Sequence, residues 1–403
     1  MSRSEVGGGI RWPAGTIVAV EAREVADLFD QAVQRLRRTV EDGESDDGSD
    51  LLRQLVVDHG LVVPDSVTNR RLVPHHNSMI DDAGRAGAGW SGSGGAAVRV
   101  AVGRLADPDR VVRAAACDLL GFASAVHGDD LRAVAATALI TLAATEADPE
   151  VHWSIARALR ATCDPRALPT LVSLAHSPDS DVRFQVAAAV PMVLDDPPAE
   201  AGEAVLIDLC ADPDARVREW ATFGLGWLST ADGNAVRRAL WDRTRDVDPE
   251  VRAEGARGLA RRRDARALPL VRELLAQDEV HNFTIKAAAY LGDPSLLPLL
   301  AGFDPDADHV AEALRECDPQ RRDRRNDLAW RLLLAVHSRR PDWAVTVAGE
   351  RCDLDLQLDI ADGADRSAYW CVDGLLRRAG DDPERAAELA IADLTPARAA
   401  AER

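Results

Sequence analysis

Asp212-Pro213-Asp214-Ala215-Arg216-Val217-Arg218-Glu219-Trp220-Ala221-Thr222-Phe223-Gly224-Leu225-Gly226 reads as a turn, a cap and a helix. A residue before proline is pushed out of the α region, so Asp212-Pro213 ends whatever helix precedes it. Asp214 is placed to accept hydrogen bonds from the first free amides of the next helix. Val217, Ala221 and Leu225 recur at every fourth position and predict one apolar stripe.

The arrangement repeats along the chain. Asp107-Pro108 leads into Val112-Arg113 and closes at Leu120-Gly121; Asp148-Pro149 leads into Val151-His152 and closes at Leu159. Ser177-Pro178 leads into Val182-Arg183 and closes at Val190; Asp248-Pro249 leads into Val251-Arg252 and closes at Leu259. A variant, Asp278-Glu279, opens on Val280-His281 and closes at Leu291-Gly292. Asp107, Asp148, Ser177, Asp212, Asp248 and Asp278 stand 29 to 41 residues apart, the period of a stacked helical unit. Between these helices lie shorter apolar ones with their own opening, as in Asp164-Pro165-Arg166-Ala167-Leu168-Pro169, Asp264-Ala265-Arg266-Ala267-Leu268-Pro269 and Asp293-Pro294-Ser295-Leu296-Leu297-Pro298. Proline is tolerated in a first helical turn, where its missing N–H has no intrahelical acceptor. Each unit is therefore helix A, turn, helix B, turn, and neither helix can bury its stripe unless the units stack.

The D-P-x-x-V-R motif, the small-residue helix ending in Leu-Gly and the A-L-P opening resemble the HEAT-repeat family, in particular its short bacterial, phycobilisome-lyase-type HEAT-like form. The resemblance covers about residues 97 to 302. It implies an all-α fold, an α-solenoid of HEAT-like helical hairpins wound as a right-handed superhelix. It also implies a ladder between neighbouring repeats, made by the Asp of the turn and the Arg after Val. Arg113, Arg183, Arg218 and Arg252 match, with Asp148, Asp212 and Asp248 as their acidic counterparts. His152 and His281 depart from the pattern, which predicts weaker rungs at those two units.

Three segments follow from the pattern. Residues 1–95 are expected to form a partly disordered N-terminal extension with one or two helices, at about 16–40 (Val25, Leu28, Phe29, Val33 and Leu36 on one face) and at 51–57, joined by acidic and glycine-rich linkers. Residues 96–302 hold the array. Residues 303–403 are read as degenerate repeats and a C-terminal helical cap, with helices at 326–338 and 383–394, because an array needs its last apolar face covered; a separate small helical domain is the alternative.

The chain carries 48 basic and 67 acidic residues, a formal net charge of −19, and Lys286 is its one lysine. Six cysteines at 117, 163, 210, 317, 352 and 371 show no CxxC spacing, which predicts buried thiols in a reducing compartment rather than disulfides. With no signal peptide and no apolar run approaching ~20 residues, the expected location is cytoplasmic, without a membrane span.

In the resembled family helix B lines the concave surface. Counting two and six residues on from each helix-B valine brings out Trp153 and Arg157, Phe184, Phe223 and Arg257, with Trp220 close by. Trp and Arg are enriched at binding hot spots, so these residues are the candidate partner-binding face. The competing use of the same rings is to fill gaps between repeats. Gly87-Ala88-Gly89-Trp90-Ser91-Gly92 matches GxGxxG but lacks a preceding strand and a ribose-binding acid, so it reads as linker. His75-His76 with Asp81-Asp82 matches no ligand spacing, and no metal or other cofactor is expected. Acids surround Arg261-Arg262-Arg263 and Arg321-Arg322-Asp323-Arg324-Arg325, which marks solvated faces.

No catalytic constellation can be assembled, so the expected function is a non-catalytic protein–protein interaction scaffold or adaptor whose partner is another protein. An alkyl-base DNA glycosylase of HEAT-like type is the first alternative. Residues 97–302 carry 23 basic against 30 acidic residues, which disfavours nucleic acid because phosphate contacts dominate its affinity. A lyase-like modification factor is the second, by analogy with the lyases that give the short repeat its name.

Overall fold

The computed structural model describes residues 26–27, 29–31, 33–34, 93–126, 129–349, 354, 356–362 and 366–394. They form two compact units, Met1–Ala231 and Asp232–Arg403. Both are α-solenoid stacks of helical hairpins, and the second carries an additional small sheet.

In the first unit the A helices are α1 (Ser93–Arg104), α3 (Asp129–Ala143), α5 (Leu168–Leu174) and α7 (Glu200–Leu209). The B helices are α2 (Arg110–Val126), α4 (Pro149–Thr162), α6 (Ser180–Ala189) and α8 (Ala215–Phe223). Each B helix packs on the next, α2 on α4, α4 on α6 and α6 on α8. The predicted stripe is the core: Val217, Ala221 and Leu225 are sealed from solvent, as are Leu119, Ile155, Leu159 and Val186. Leu120-Gly121 does not close its helix, because α2 runs on to Val126. Gly121 is instead the point of closest approach, where a Cβ would stand 3.0 Å from the Ala158 Cα. Nor does one helix run from the Asp214 cap through Gly226: α8 stops at Phe223 and Gly224–Leu228 widens into a π turn. At the N-terminal end, the described residues within 26–34 are helical, with Phe29 and Val33 buried. Arg104 of α1 donates twice to Asp30, at 2.7 and 2.8 Å.

The turn before each B helix is a small machine of carboxylates. Asp109, Asp148, Asp179, Asp214 and Asp248 are the N-caps, each accepting from an amide two residues on. Two residues earlier stand Asp107, Glu146, Ser177, Asp212 and Asp246, whose side chains accept the amide of the cap residue itself. Four residues past the cap, Arg113, Arg183, Arg218 and Arg252 each donate through Nη1 to two carbonyls of their own turn. Rungs between repeats start from the same arginines. Arg113 grips Glu146 at 2.7 and 3.1 Å, and Arg183 grips Asp212 at 2.7 and 3.0 Å.

This corrects the acidic half of the expected ladder. Asp148 and Asp248 are caps, and the rung acceptors stand two residues before the cap. Asp-Pro occurs at two different offsets, with proline just after the cap at Pro149 and Pro249 but just before it at Pro108 and Pro213, so aligning on the dipeptide slips the register. His152 holds the arginine position and keeps the turn contact, its Nε2 lying 3.1 Å from the Glu146 carbonyl oxygen. The residue it would face on the next repeat is Ser177, so that junction has no arginine–carboxylate rung. His281 is no ladder residue at all: its Nδ1 caps the following helix by accepting from Phe283 N at 3.3 Å.

The second unit runs α9 (Asn234–Arg243), α10 (Pro249–Arg261), α11 (Ala267–Leu275), α12 (Asn282–Leu291), α13 (Leu297–Leu300), α14 (Asp308–Cys317) and α15 (Pro319–Arg339). Helices α10, α12 and α14 stack in succession. Leu291-Gly292 does end its helix, with Gly292 at φ +59° where a side chain would be strained. Asp318 caps α15 and Arg322 donates to the Glu316 carbonyl at 3.1 Å, so the turn motif recurs beyond the point where the pattern blurs by eye.

Past α15 the chain forms β1 (Ala344–Gly349), β2 (Leu356–Ala361) and β3 (Ser367–Cys371), an antiparallel meander, then α16 (Val372–Ala379) and α17 (Pro383–Leu394). The helices expected at 326–338 and 383–394 are present, the first inside α15. The sheet between them departs from the purely helical cap. Val345, Val347, Leu358, Ile360, Ala368 and Trp370 lie on one face by register, and that face packs against the helical core of Leu332, Val336, Leu375, Leu376 and Ala387.

Candidate functional site

Caps and rungs fix the rotation of each B helix, and with the core stripe turned inward a second set of side chains is left outward. In the first unit that set is aromatic and basic. Trp153 and Arg157 stand one turn apart on α4, Phe184 on α6, and Trp220 and Phe223 on α8, all partly buried. Phe184 meets Trp220 edge to face with centroids 5.7 Å apart, Trp220 meets Phe223 at 5.6 Å, and Phe223 meets Trp227 at 5.7 Å. Trp227 reaches this row from the π turn. The rings thus pack across repeats and keep part of their surface open.

Three arginines lie on these rings. Arg157 stacks on Trp153 at 4.4 Å and is held there by Asp118, 2.7 Å from its Nη2. Arg216 lies over Phe184 at 5.8 Å and pairs with Asp181 at 2.8 Å and Asp214 at 3.1 Å. The Asp214 carboxyl is lowered to about 2, first by Arg216, which outweighs its partial burial. Arg160 lies over Trp220 at 5.4 Å, and burial pushes its pKa down. Counting from the valine passed over Arg160, although Trp153, Arg157 and Arg160 follow the spacing of one helix face.

Arg257 must be withdrawn from the candidate face. It lies in the second unit, 1% exposed, paired with Glu254 at 2.5 Å and stacked on Phe283 at 4.4 Å. Helix α10 is buried on nearly every side, down to Gly255, where a Cβ would meet the Leu240 carbonyl at 2.8 Å, so no outward face exists to present the arginine. The five others lie in the first unit, where Phe184, Trp220 and Phe223 meet one another and Trp153 stacks under Arg157 on α4. Of the ladder residues, Arg113, Arg183, Arg218, Arg252 and Asp212 hold the turns as described, and Asp148 and Asp248 cap helices.

Elsewhere the polar groups serve the fold. Among the described residues no three His, Cys, Asp or Glu side chains converge as metal ligands would, and no helix is long and apolar enough to cross a membrane. The basic run on α15 is engaged locally, Arg321 with Asp318, Arg324 with Asp381 and Arg325 with Glu316. Cys117, Cys210 and Cys317 are buried, Cys163 is partly so and Cys371 is exposed; burial pushes the Cys317 thiol up to about 12. Gly87–Gly92, His75, His76, Asp81, Asp82 and Cys352 lie outside the described residues.

Residues 98–191 match the family model described as HEAT repeats. Protein YibA of Escherichia coli K12 is 33% identical over 126 residues, which is 31% of this chain and 43% of YibA, so the match spans less than half of that relative. The X-ray structure of E. coli YibA aligns with TM-score 0.45 at 23% identity, covering 66% of this chain and 94% of that one. The complex of CpcE and CpcF of phycocyanin lyase from Nostoc sp. PCC7120 aligns with TM-score 0.39 at 19% identity, covering 55% and 86%.

Proposed function

Taking as premise that the chain is a HEAT-repeat protein, we propose that it is a non-catalytic interaction scaffold or adaptor that holds a protein partner on the outward face of α4, α6 and α8. One observation carries this reading: the partly open rings Phe184, Trp220 and Phe223 in edge-to-face contact on α6 and α8, with Trp153 under Arg157 on α4, so that aromatic and arginine side chains recur on three consecutive repeats. Rigid aromatic side chains bury much area at little entropic cost, and pairing with arginine is the composition of binding hot spots. A row that crosses repeats suits an extended partner better than a small molecule, which needs a closed cavity. The carboxylates that neutralise Arg157 and Arg216, and the net charge of −19, weigh against a phosphate backbone as the partner.

Photo-crosslinking in the native host tests it. A benzophenone amino acid replaces Phe184 in one strain and Val134, 49% exposed on α3, in another. The expected result is a discrete, competable protein adduct from position 184 and none from 134. Equal labelling at both positions, or none at 184, would refute the assignment of this face.

A further inference from the structure

We propose that Arg160, lying over the Trp220 ring, is a subsite for the carboxylate of an Asp or Glu side chain in the partner's bound segment, next to a large apolar residue seated on the neighbouring rings. This rests on the reading of the B-helix face as protein-binding and sharpens what the face selects. Arg157 has Asp118, and Arg216 has Asp181 and Asp214. Arg160 is different: among the described residues no carboxylate lies within ion-pair distance of it, and the side-chain contact it makes is with the Trp220 ring.

The guanidinium is substantially withdrawn from water, and burial lowers its pKa, opposed by the neighbouring Cys163. That thiol is itself raised by burial, so it supplies no anion. Arginine cannot escape by losing its proton at neutral pH, so the desolvated charge persists in the free protein. An arriving carboxylate would meet a planar fork of donors already ordered against an aromatic face, which lowers the entropic cost of pairing. A single uncompensated cation among rings reads a single carboxylate with an apolar neighbour. It does not read a run of phosphates, which would also have to pass the acids at 118, 181 and 214.

The probe is an array of immobilised decapeptides scanned at each position with Glu, Gln, Lys, Leu and Trp, with the strongest binders measured in solution by fluorescence anisotropy against the full chain. A twelve-nucleotide oligo-dT is run beside them. The expected result is binders that pair Glu with Leu or Trp, and a loss of about tenfold or more when that Glu becomes Gln. Arg160→Met should erase the Glu-over-Gln preference while the Gln peptide binds within about twofold of before, since the rings remain. Arg160→Lys should keep part of the preference, and serves in place of the Met variant should that one fail to fold by circular dichroism. Equal binding of Glu and Gln peptides overturns the Arg160 subsite and leaves the peptide-binding face standing. Failure of every peptide, or preference for oligo-dT, overturns both.

Discussion

Replacing Glu146 with glutamine tests whether the turn carboxylates hold the repeats together. Glu146 joins α2 to the turn of the next repeat. It accepts from Arg113 Nε at 2.7 Å and Nη2 at 3.1 Å, and from the amides of Ala147 and Asp148 at 3.0 Å each. Its side chain is 5% exposed and that of Arg113 17%. Burial works against the charge, but Arg113 and the two amides outweigh it and hold the carboxyl at about 2 instead of 4.5. That depression corresponds to about 3 kcal/mol at neutral pH, at about 1.4 kcal/mol per factor of ten. Breaking a buried ion pair by neutralising one partner costs about 3–5 kcal/mol, so the two routes agree. Because the folded pKa is the lower one, the contribution is fully present above 4.5 and is lost as pH falls towards 2. Stacked repeats need not unfold as one, so the assay is native-state hydrogen exchange of the α2 and α4 amides in wild type and Glu146→Gln. The gap should be about 3 kcal/mol at pH 7 and shrink to about 1 kcal/mol at pH 3. A gap below about 0.5 kcal/mol at pH 7, or one that does not change with pH, would refute the reasoning.

Two further outcomes are expected. Gly121→Ala puts a methyl 3.0 Å from the Ala158 backbone, so α2 and α4 must separate, with a loss of about 1–3 kcal/mol in urea unfolding and more for Gly121→Val; an unchanged midpoint would contradict the close approach. Maleimide labelling read by peptide mapping should reach Cys371 in the folded chain within minutes, but Cys317 only in denaturant, since burial holds its thiol at about 12 and its Sγ donates to the Ala288 carbonyl; early modification of Cys317 would show that site to open.

The helices and their inward stripes could be read from the sequence because both depend on local spacing and on proline and aspartate chemistry, as at Asp214, Val217, Ala221 and Leu225. The ladder's acids could not be read from Asp-Pro alone, because a cap and a rung use the same residue type two positions apart. The sheet was there to be found: Leu356, Leu358 and Ile360 alternate with Gln357 and Asp359, the signature of a half-buried strand. It was masked by the expectation that a helical array ends in helices. Face assignment failed where neighbours decide burial. Arg157 and Arg257 hold the same position in their helices, yet Phe283 of the next helix covers the second. The isolation of Arg160 required knowing which carboxylates reach their arginines, which spacing does not encode.

The junction of His152 and Ser177, which lacks an arginine–carboxylate rung, bears on which repeats can be exchanged. Deleting residues 146–176 alone would bring Arg113 against Ser177, a desolvated cation facing a hydroxyl, and deleting 177–211 alone would bring His152 against Asp212. Removing 146–211 entire joins Arg113 to Asp212 and restores a matched rung, so the shortened chain with both repeats gone should melt above either single deletion. Across this junction the unit that can be lost with its rungs intact is accordingly a pair of repeats.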